Sequence, residues 1–213
     1  MALTLDNAPS TRQLVASNTV LTYSFTYAGG PGAIYVGVLV THTNSPVVSS
    51  ITWNGQALSK LAGHISGVSN KLENWRLLNP SGSGAANIVI TITASTNYIL
   101  ATTLSILGDI GAGGTTNVSA TGSNTISVAD GSWVVITGAS DTVDVAASTN
   151  VTATPTANPV TGYYGPKSGA GDITLSYTGT GAYSVAVEVV DNAAGSGGLS
   201  IPVVMNQYRQ RLL

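Results

Sequence analysis

The two histidines, His42 and His64, are the first residues to weigh for chemistry. His42 ends an apolar run and His64 sits in a glycine-bounded loop; neither has another histidine or a carboxylate at metal-ligand spacing. A Ser-His-Asp relay is defined by geometry rather than by order along the chain. No Gly-x-Ser-x-Gly elbow is present, and Ser and Thr are too frequent for any one to stand out. Glycoside hydrolysis needs two carboxylates across a cleft. The glutamates are Glu73 and Glu188. Glu73, flanked by Lys71 and Arg76, reads as a surface ion pair, and Glu188, on the polar side of an alternating strand, as a solvated face. No enzymatic activity is expected.

Metal and anion sites are equally thin. Asp141 and Asp144 could offer oxygens to calcium, but calcium takes six to eight ligands, and a turn capped by aspartate is the simpler reading. Gly111–Gly114 followed by Thr115 and Thr116 imitates a phosphate loop without its lysine or its helix. No cofactor is expected. Asn117-Val118-Ser119 and Asn150-Val151-Thr152 have the form of glycosylation sequons and read as chance in so hydroxyl-rich a chain. Trp53, Trp75 and Trp133 would serve a sugar-stacking platform if exposed; their apolar flanks favour packing.

The elements that carry these residues are strands. Leu21, Tyr23, Phe25 and Tyr27 alternate with Thr22, Ser24 and Thr26, and the same period of two recurs at Ile173, Leu175, Tyr177 and at Val185, Val187, Val189. Ala33–Val40, Ala86–Thr93, Ile99–Leu107 and Ser132–Thr137 read as more deeply buried strands, and Leu72–Leu78 as another, closed by Pro80. Val48–Trp53 and Gln56–Leu61 flank Asn54-Gly55, the strongest short hairpin signal. Turn clusters such as Gly29–Gly32, Pro80–Gly84 and Gly165–Gly171 leave no room for long helices. No strict internal repeat is visible, which argues against a solenoid or propeller. The pattern predicts an all-β fold: a two-sheet antiparallel β-sandwich, jelly-roll-like, with extended N- and C-terminal arms.

Composition narrows the partners. Only 8% of residues are charged and the net charge is −2, against about 25% charged in an average domain. Such a surface repels its own copies weakly, so either aggregation or controlled assembly is expected. Seven scattered basic residues do not make a nucleic-acid footprint. No apolar run reaches membrane-spanning length. Met1–Ser10 has neither the basic nor the apolar region of a secretory leader, so the expectation is either assembly in the cytoplasm where the chain is made or a mature form given a new Met. The chain has no cysteine, which removes disulfides and thiol chemistry.

The domain reading is an arm over 1–13, one β domain over 14–192, a Gly/Ser linker over 193–198 and a docking arm over 199–213. In that last arm Leu199, Ile201, Val203 and Met205 alternate and Tyr208, Arg209 and Arg211 follow; these are the candidate interface residues.

The stretch Ser50-Ile51-Thr52-Trp53-Asn54-Gly55-Gln56-Ala57-Leu58-Ser59-Lys60-Leu61, then Glu73-Asn74-Trp75-Arg76-Leu77-Leu78-Asn79-Pro80 and Ala85–Thr93, resembles a β-sandwich domain that recurs in tailed-phage structural proteins and bacterial surface proteins. The resemblance extends over Thr19–Asp191 and implies a fold without catalytic residues. It implies a structural virion protein, a capsid decoration (cement) or head-fibre component. Its partners would be other copies of itself, a trimer being one arrangement, and a major capsid or other virion protein, with neither nucleic acid nor membrane. The alternative expectation is a carbohydrate-binding or adhesive surface module, or a subunit of an extracellular filament.

Overall fold

The structure is a computed structural model and describes residues 2–11, 13–41, 47–66, 70–94, 97–141, 143–153 and 157–192. The described chain is all-β, without a helix, and its antiparallel sheets are open. Eighteen strands are formed among the described residues. In the first half they are β1 (Thr4–Asn7), β2 (Gln13–Ala16), β3 (Val20–Tyr27), β4 (Gly32–Thr41), β5 (Val48–Trp53), β6 (Gln56–Ala57), β7 (Ser59–Ser66), β8 (Asn70–Leu78), β9 (Gly84–Ile92) and β10 (Tyr98–Leu107). In the second they are β11 (Thr116–Ser119), β12 (Ser123–Val128), β13 (Trp133–Ser140), β14 (Ala146–Ala147), β15 (Thr152–Ala153), β16 (Val160–Tyr164), β17 (Gly171–Thr178) and β18 (Ala182–Val189).

The predicted alternation is realised residue by residue in β3, where Leu21, Tyr23, Phe25 and Tyr27 are buried and Val20, Thr22, Ser24 and Thr26 exposed. At the Asn54-Gly55 turn both residues take positive φ, 49° and 75°, and Trp53 pairs with Gln56. His64, expected in a loop, lies on β7.

Where two sheets are expected, the strands divide among four. Sheet I has the order β1-β10-β4-β8-β7, with β2 also on β10; sheet II is β3-β9-β5-β6; sheet III is β11-β18-β13-β16-β15; sheet IV is β12-β17-β14. Sheets I and II enclose one core, built from residues such as Phe25, Ile34, Val36, Trp53, Ile90 and Ile99. Sheets III and IV enclose a second, with Ile126, Val134, Ile136, Leu175 and Ala186. The remaining faces of sheets I and III pack on each other: Tyr35, Leu104 and Ile106 meet Trp133, Val135 and Val189, while Leu39, Leu72 and Leu100 meet Ala139, Tyr183 and Val185. The layers therefore run II, I, III, IV. This explains the continuous apolar runs at Ala33–Val40 and Trp133–Ile136, since a strand covered on both faces loses its alternation.

The second half repeats the first. Substituting β12, β13, β14, β15, β16, β17 and β18 for β3, β4, β5, β7, β8, β9 and β10, and β11 for the β1/β2 edge, converts sheet I into sheet III. The same substitution converts sheet II, less β6, into sheet IV. The residues keep a trace of it. At one constant spacing Ile88, Ile90, Tyr98 and Ala101 correspond to Ile173, Leu175, Tyr183 and Ala186, each pair on matching strands. The β domain expected over 14–192 thus holds two units of one strand order, joined through equivalent sheets.

Hydroxyls occupy the middle of that junction. Thr161 Oγ1 lies 2.6 Å from Thr102 Oγ1 and 3.0 Å from Thr137 Oγ1, all three buried. Gly37 on β4 makes the approach possible: a Cβ there would stand 2.3 Å from Thr161 Oγ1 and 2.4 Å from Thr137 Oγ1.

The N-terminal stretch expected as an arm is laid down on sheet I. Thr4 and Leu5 pair with Leu107 and Ile106, and Gln13–Ala16 pair with Ala101–Tyr98. Between them Ser10 exchanges bonds with Thr103, its N–H donating to the carbonyl at 2.7 Å and its Oγ accepting from the amide at 2.9 Å. A weak hydrophobic pattern suffices because β10 supplies the pairing.

Candidate functional site

The groups most able to do chemistry gather where the two units meet beside β7. Asp141, just past β13, accepts Ser66 Oγ–H at 2.6 Å and Asn70 Nδ2–H at 2.7 Å. His64, two residues before Ser66 on the same strand, packs its ring against Tyr183 of β18 with centroids 5.0 Å apart. Burial opposes ionisation of Asp141, but the bonds from Asn70 and Ser66 outweigh it and hold the carboxyl below its ordinary value. Burial lowers His64, and the Asp141 charge only partly offsets this. The Tyr183 hydroxyl is pushed up, first by burial and then by that same charge.

A His-based hydrolase needs a histidine near a carboxylate, and His64 and Asp141, which the sequence did not connect, are near enough for the Asp141 charge to act on the imidazole. The hydroxyl, however, gives its proton to the carboxylate directly. A Ser-His-Asp relay needs the imidazole between them. What this arrangement does is bind β7 and β8 of the first unit to the end of β13 in the second. Among the described residues no group of three or more His, Asp or Glu side chains is placed to hold a metal ion.

The glutamates are not where the sequence suggested. Glu73 is buried at 4% exposure and pairs with Lys60 on β7 instead of Lys71 or Arg76. Its other oxygen accepts Trp75 Nε1–H at 2.9 Å. Strand alternation explains why Arg76 is not the partner: Glu73 faces the Trp75 side of sheet I, and Arg76 the opposite side. Arg76 donates to the carbonyls of Gly111 and Ala112 at 3.2 and 2.6 Å. Glu188, expected on a solvated face, is also buried. It accepts the Thr115 amide at 2.9 Å and the Ala129 amide at 2.7 Å. Although burial would raise it, these bonds leave Glu188 below its ordinary value.

An open groove of about 420 Å³ runs along Gly111–Thr115, Glu188 and Asn192. It is a poor anion site. Arg76 is already spent on two carbonyls there, and the Glu188 carboxylate holds the Thr115 N–H. The phosphate-loop imitation is thus answered by a carboxylate in the place an anion would take.

All three tryptophans are buried. Trp53 donates to the Phe25 carbonyl at 3.2 Å and stands edge-on to Tyr27; Trp133 stacks on Tyr163 at 5.5 Å. A tryptophan platform for sugars is therefore not on this surface. The sequon asparagines turn to backbone instead: Asn117 to the Thr125 carbonyl at 2.6 Å, Asn150 to that of Thr174 at 2.9 Å.

The predicted interface residues Leu199, Ile201, Val203, Met205, Tyr208, Arg209 and Arg211 lie outside the described residues, as do His42 and the linker over 193–198. Asn192, the last described, is fastened to Asp109 by its N–H at 2.9 Å and its side chain at 3.1 Å.

What the described surface offers a partner is sheet edge. Most edges are blunted. β6, β14 and β15 have two residues each. β7 carries Lys60 and a register break after it. β12 is roofed by β11 through Asn117 on the Thr125 carbonyl and Asn124 on the Asn117 carbonyl at 3.2 Å. β3 is different: eight residues without charge, proline or bulge, paired among the described residues on one side only, to β9. Comparison with known proteins adds nothing to this geometry: no family model, no curated protein and no solved structure matches the chain.

Proposed function

We propose that this chain is a structural virion protein of a tailed phage, a capsid decoration or head-fibre component that works by docking sheet edges on neighbouring polypeptides. Each two-sheet unit is read as a jelly-roll-like β-sandwich. The observation that carries the reading is the open β3 edge on a molecule with few charges, some of which, Glu73, Arg76 and Glu188 among them, are buried. Such a surface presents backbone hydrogen-bonding groups and hydroxyls with little electrostatic repulsion between copies. The resemblance of the Val48–Thr93 stretch to tailed-phage structural domains supports the same reading.

Quantitative mass spectrometry of purified phage particles tests it. The chain should be present in a fixed ratio to the major capsid protein. Its recovery only with the cell envelope or the medium would favour the adhesive module or extracellular filament instead.

A further inference from the structure

We infer that the junction of the two units is a clamshell latched at Asp141: acid releases that end, while the end that carries the chain connection stays shut.

The hinge lies at one end of the facing sheets. Residues 108–115 carry the chain from β10 to β11. They are fastened to both units. Arg76 donates to the Gly111 and Ala112 carbonyls, the Gly108 N–H to the Pro31 carbonyl at 3.0 Å, and the Gly111 N–H to the Val190 carbonyl at 2.9 Å. Ile110 packs there with Tyr35, Leu104, Trp133 and Val189. A guanidinium keeps its charge throughout the acid range, so the Arg76 bonds do not answer to pH.

The latch lies at the other end. β13 runs from Trp133, beside Ile110, to Ser140, and Asp141 follows. Asp141 of the second unit takes its hydrogen bonds from Ser66 and Asn70 of the first, at 2.6 and 2.7 Å. His64 of the first unit lies against Tyr183 of the second. Beside them Leu39, Leu72 and Leu100 cover Ala139, Tyr183 and Val185. Between hinge and latch stand the hydroxyls of Thr102, Thr137 and Thr161, which do not titrate in this range.

Few charges face the latch. Residues paired directly across a ladder share a face. His64, Asn70, Asn74 and Arg76 thus lie on the junction face of β7 and β8 with Leu72, and Lys60, Lys71 and Glu73 on the other. On β18, Tyr183 and Val185 face the junction and Glu188 the opposite way. β11, which passes β7, carries no titratable side chain. Asp144 follows three residues after Asp141, and Asp109 and Asp191 belong to the hinge end, where Ile110 pairs with Asp191. The latch answers to Asp141 and His64.

Both act in one direction. Protonating Asp141 removes the charge that strengthens the Ser66 and Asn70 bonds. Burial opposes ionisation there, but those bonds hold the carboxyl below its ordinary value, so they are complete near neutrality and weaken as pH falls through the depressed value. Burial lowers His64, so charging it also favours the open form, from about pH 6.5 downward. Opening uncovers Leu72, Leu100 and Val185, an apolar surface that the molecule hides at neutral pH.

A chain without cysteine allows a direct test. Ala139→Cys and Leu72→Cys report on the latch end, Val135→Cys on the hinge end, and Gly113→Cys, which meets nothing within 4 Å, on an open site. Each full-length variant is labelled with a dipyridyl disulfide, which attacks thiols in acid as well, at about pH 7, 5 and 3. Circular dichroism follows the sheets at each pH. Relative to Gly113→Cys, labelling of Ala139→Cys and Leu72→Cys should rise about tenfold or more toward the lowest pH, as weakened hydrogen bonds to a charged acceptor require. Val135→Cys should not change. Adding Asp141→Asn to Ala139→Cys should remove the rise below about pH 4. Equal acceleration at Val135→Cys would mean that the units part as a whole and overturns the latch. No acceleration at either latch-end cysteine at any pH where the sheets persist, or a rise undiminished by Asp141→Asn, overturns it too.

Discussion

Thr102 of the first unit and Thr161 of the second place their hydroxyl oxygens 2.6 Å apart at the buried junction of sheets I and III. Thr161 bonds Thr137 as well, at 3.0 Å. A junction centred on hydroxyls demands one register, because sliding either sheet would leave buried oxygens without partners. Thr161→Val should therefore cost about 1–3 kcal/mol, read as a lowered denaturant midpoint. The double variant Thr102→Val with Thr161→Val should cost less than the sum of the two single changes.

Gly37 sets how closely those sheets approach. A methyl group at this position meets two threonine side chains inside contact distance. Gly37→Ala should destabilise by about 1–3 kcal/mol through overpacking. Gly113→Ala, which meets nothing within 4 Å, is the control and should change the midpoint by less than about 0.5 kcal/mol.

Acid should loosen the Asp141 cluster. Asp141 has a folded pKa below its unfolded value, so its contribution is complete above the unfolded value, near 4, and is lost as pH falls through the folded one. His64 is also lowered, so its protonation opposes folding as pH falls below about 6.5. Both effects have the same sign: stability declines toward acid. Urea titrations at several pH values should show Asp141→Asn flattening the decline below pH 4 and His64→Gln flattening it between pH 4 and 6.5.

Glu188 ties the chain between the units to the second core. Glu188→Ala leaves the Thr115 and Ala129 amides without their acceptor and should cost about 2 kcal/mol. Amide hydrogen exchange at Thr115 and Ala129 should rise with it, while exchange in β4 stays slow.

The strands were legible in the sequence because alternation and turn residues are local. β3 and the Asn54-Gly55 hairpin follow from a few adjacent residues. Which strands share a sheet was not legible. Ala33–Val40 and Trp133–Ile136 read as deeply buried, but nothing local says that their outer faces cover each other. The repeat escaped for a related reason: equivalent strands need only the same alternation, and Ile90 with Leu175 or Ile92 with Tyr177 satisfies it without identity. The fates of Glu73 and Glu188 were hidden because their partners, Lys60 and the amides of Thr115 and Ala129, come from other strands and loops. The Asp141 cluster could have been suspected only by pairing His64 and Ser66 with an aspartate in the other unit, a contact made through the junction itself.

Sedimentation velocity of the full chain over a wide concentration range, at low and high salt, tests the central claim most directly. The account predicts association that grows with concentration and is nearly indifferent to salt, because the docking edge carries backbone groups and hydroxyls rather than charges. A single monomer boundary at every concentration would contradict it.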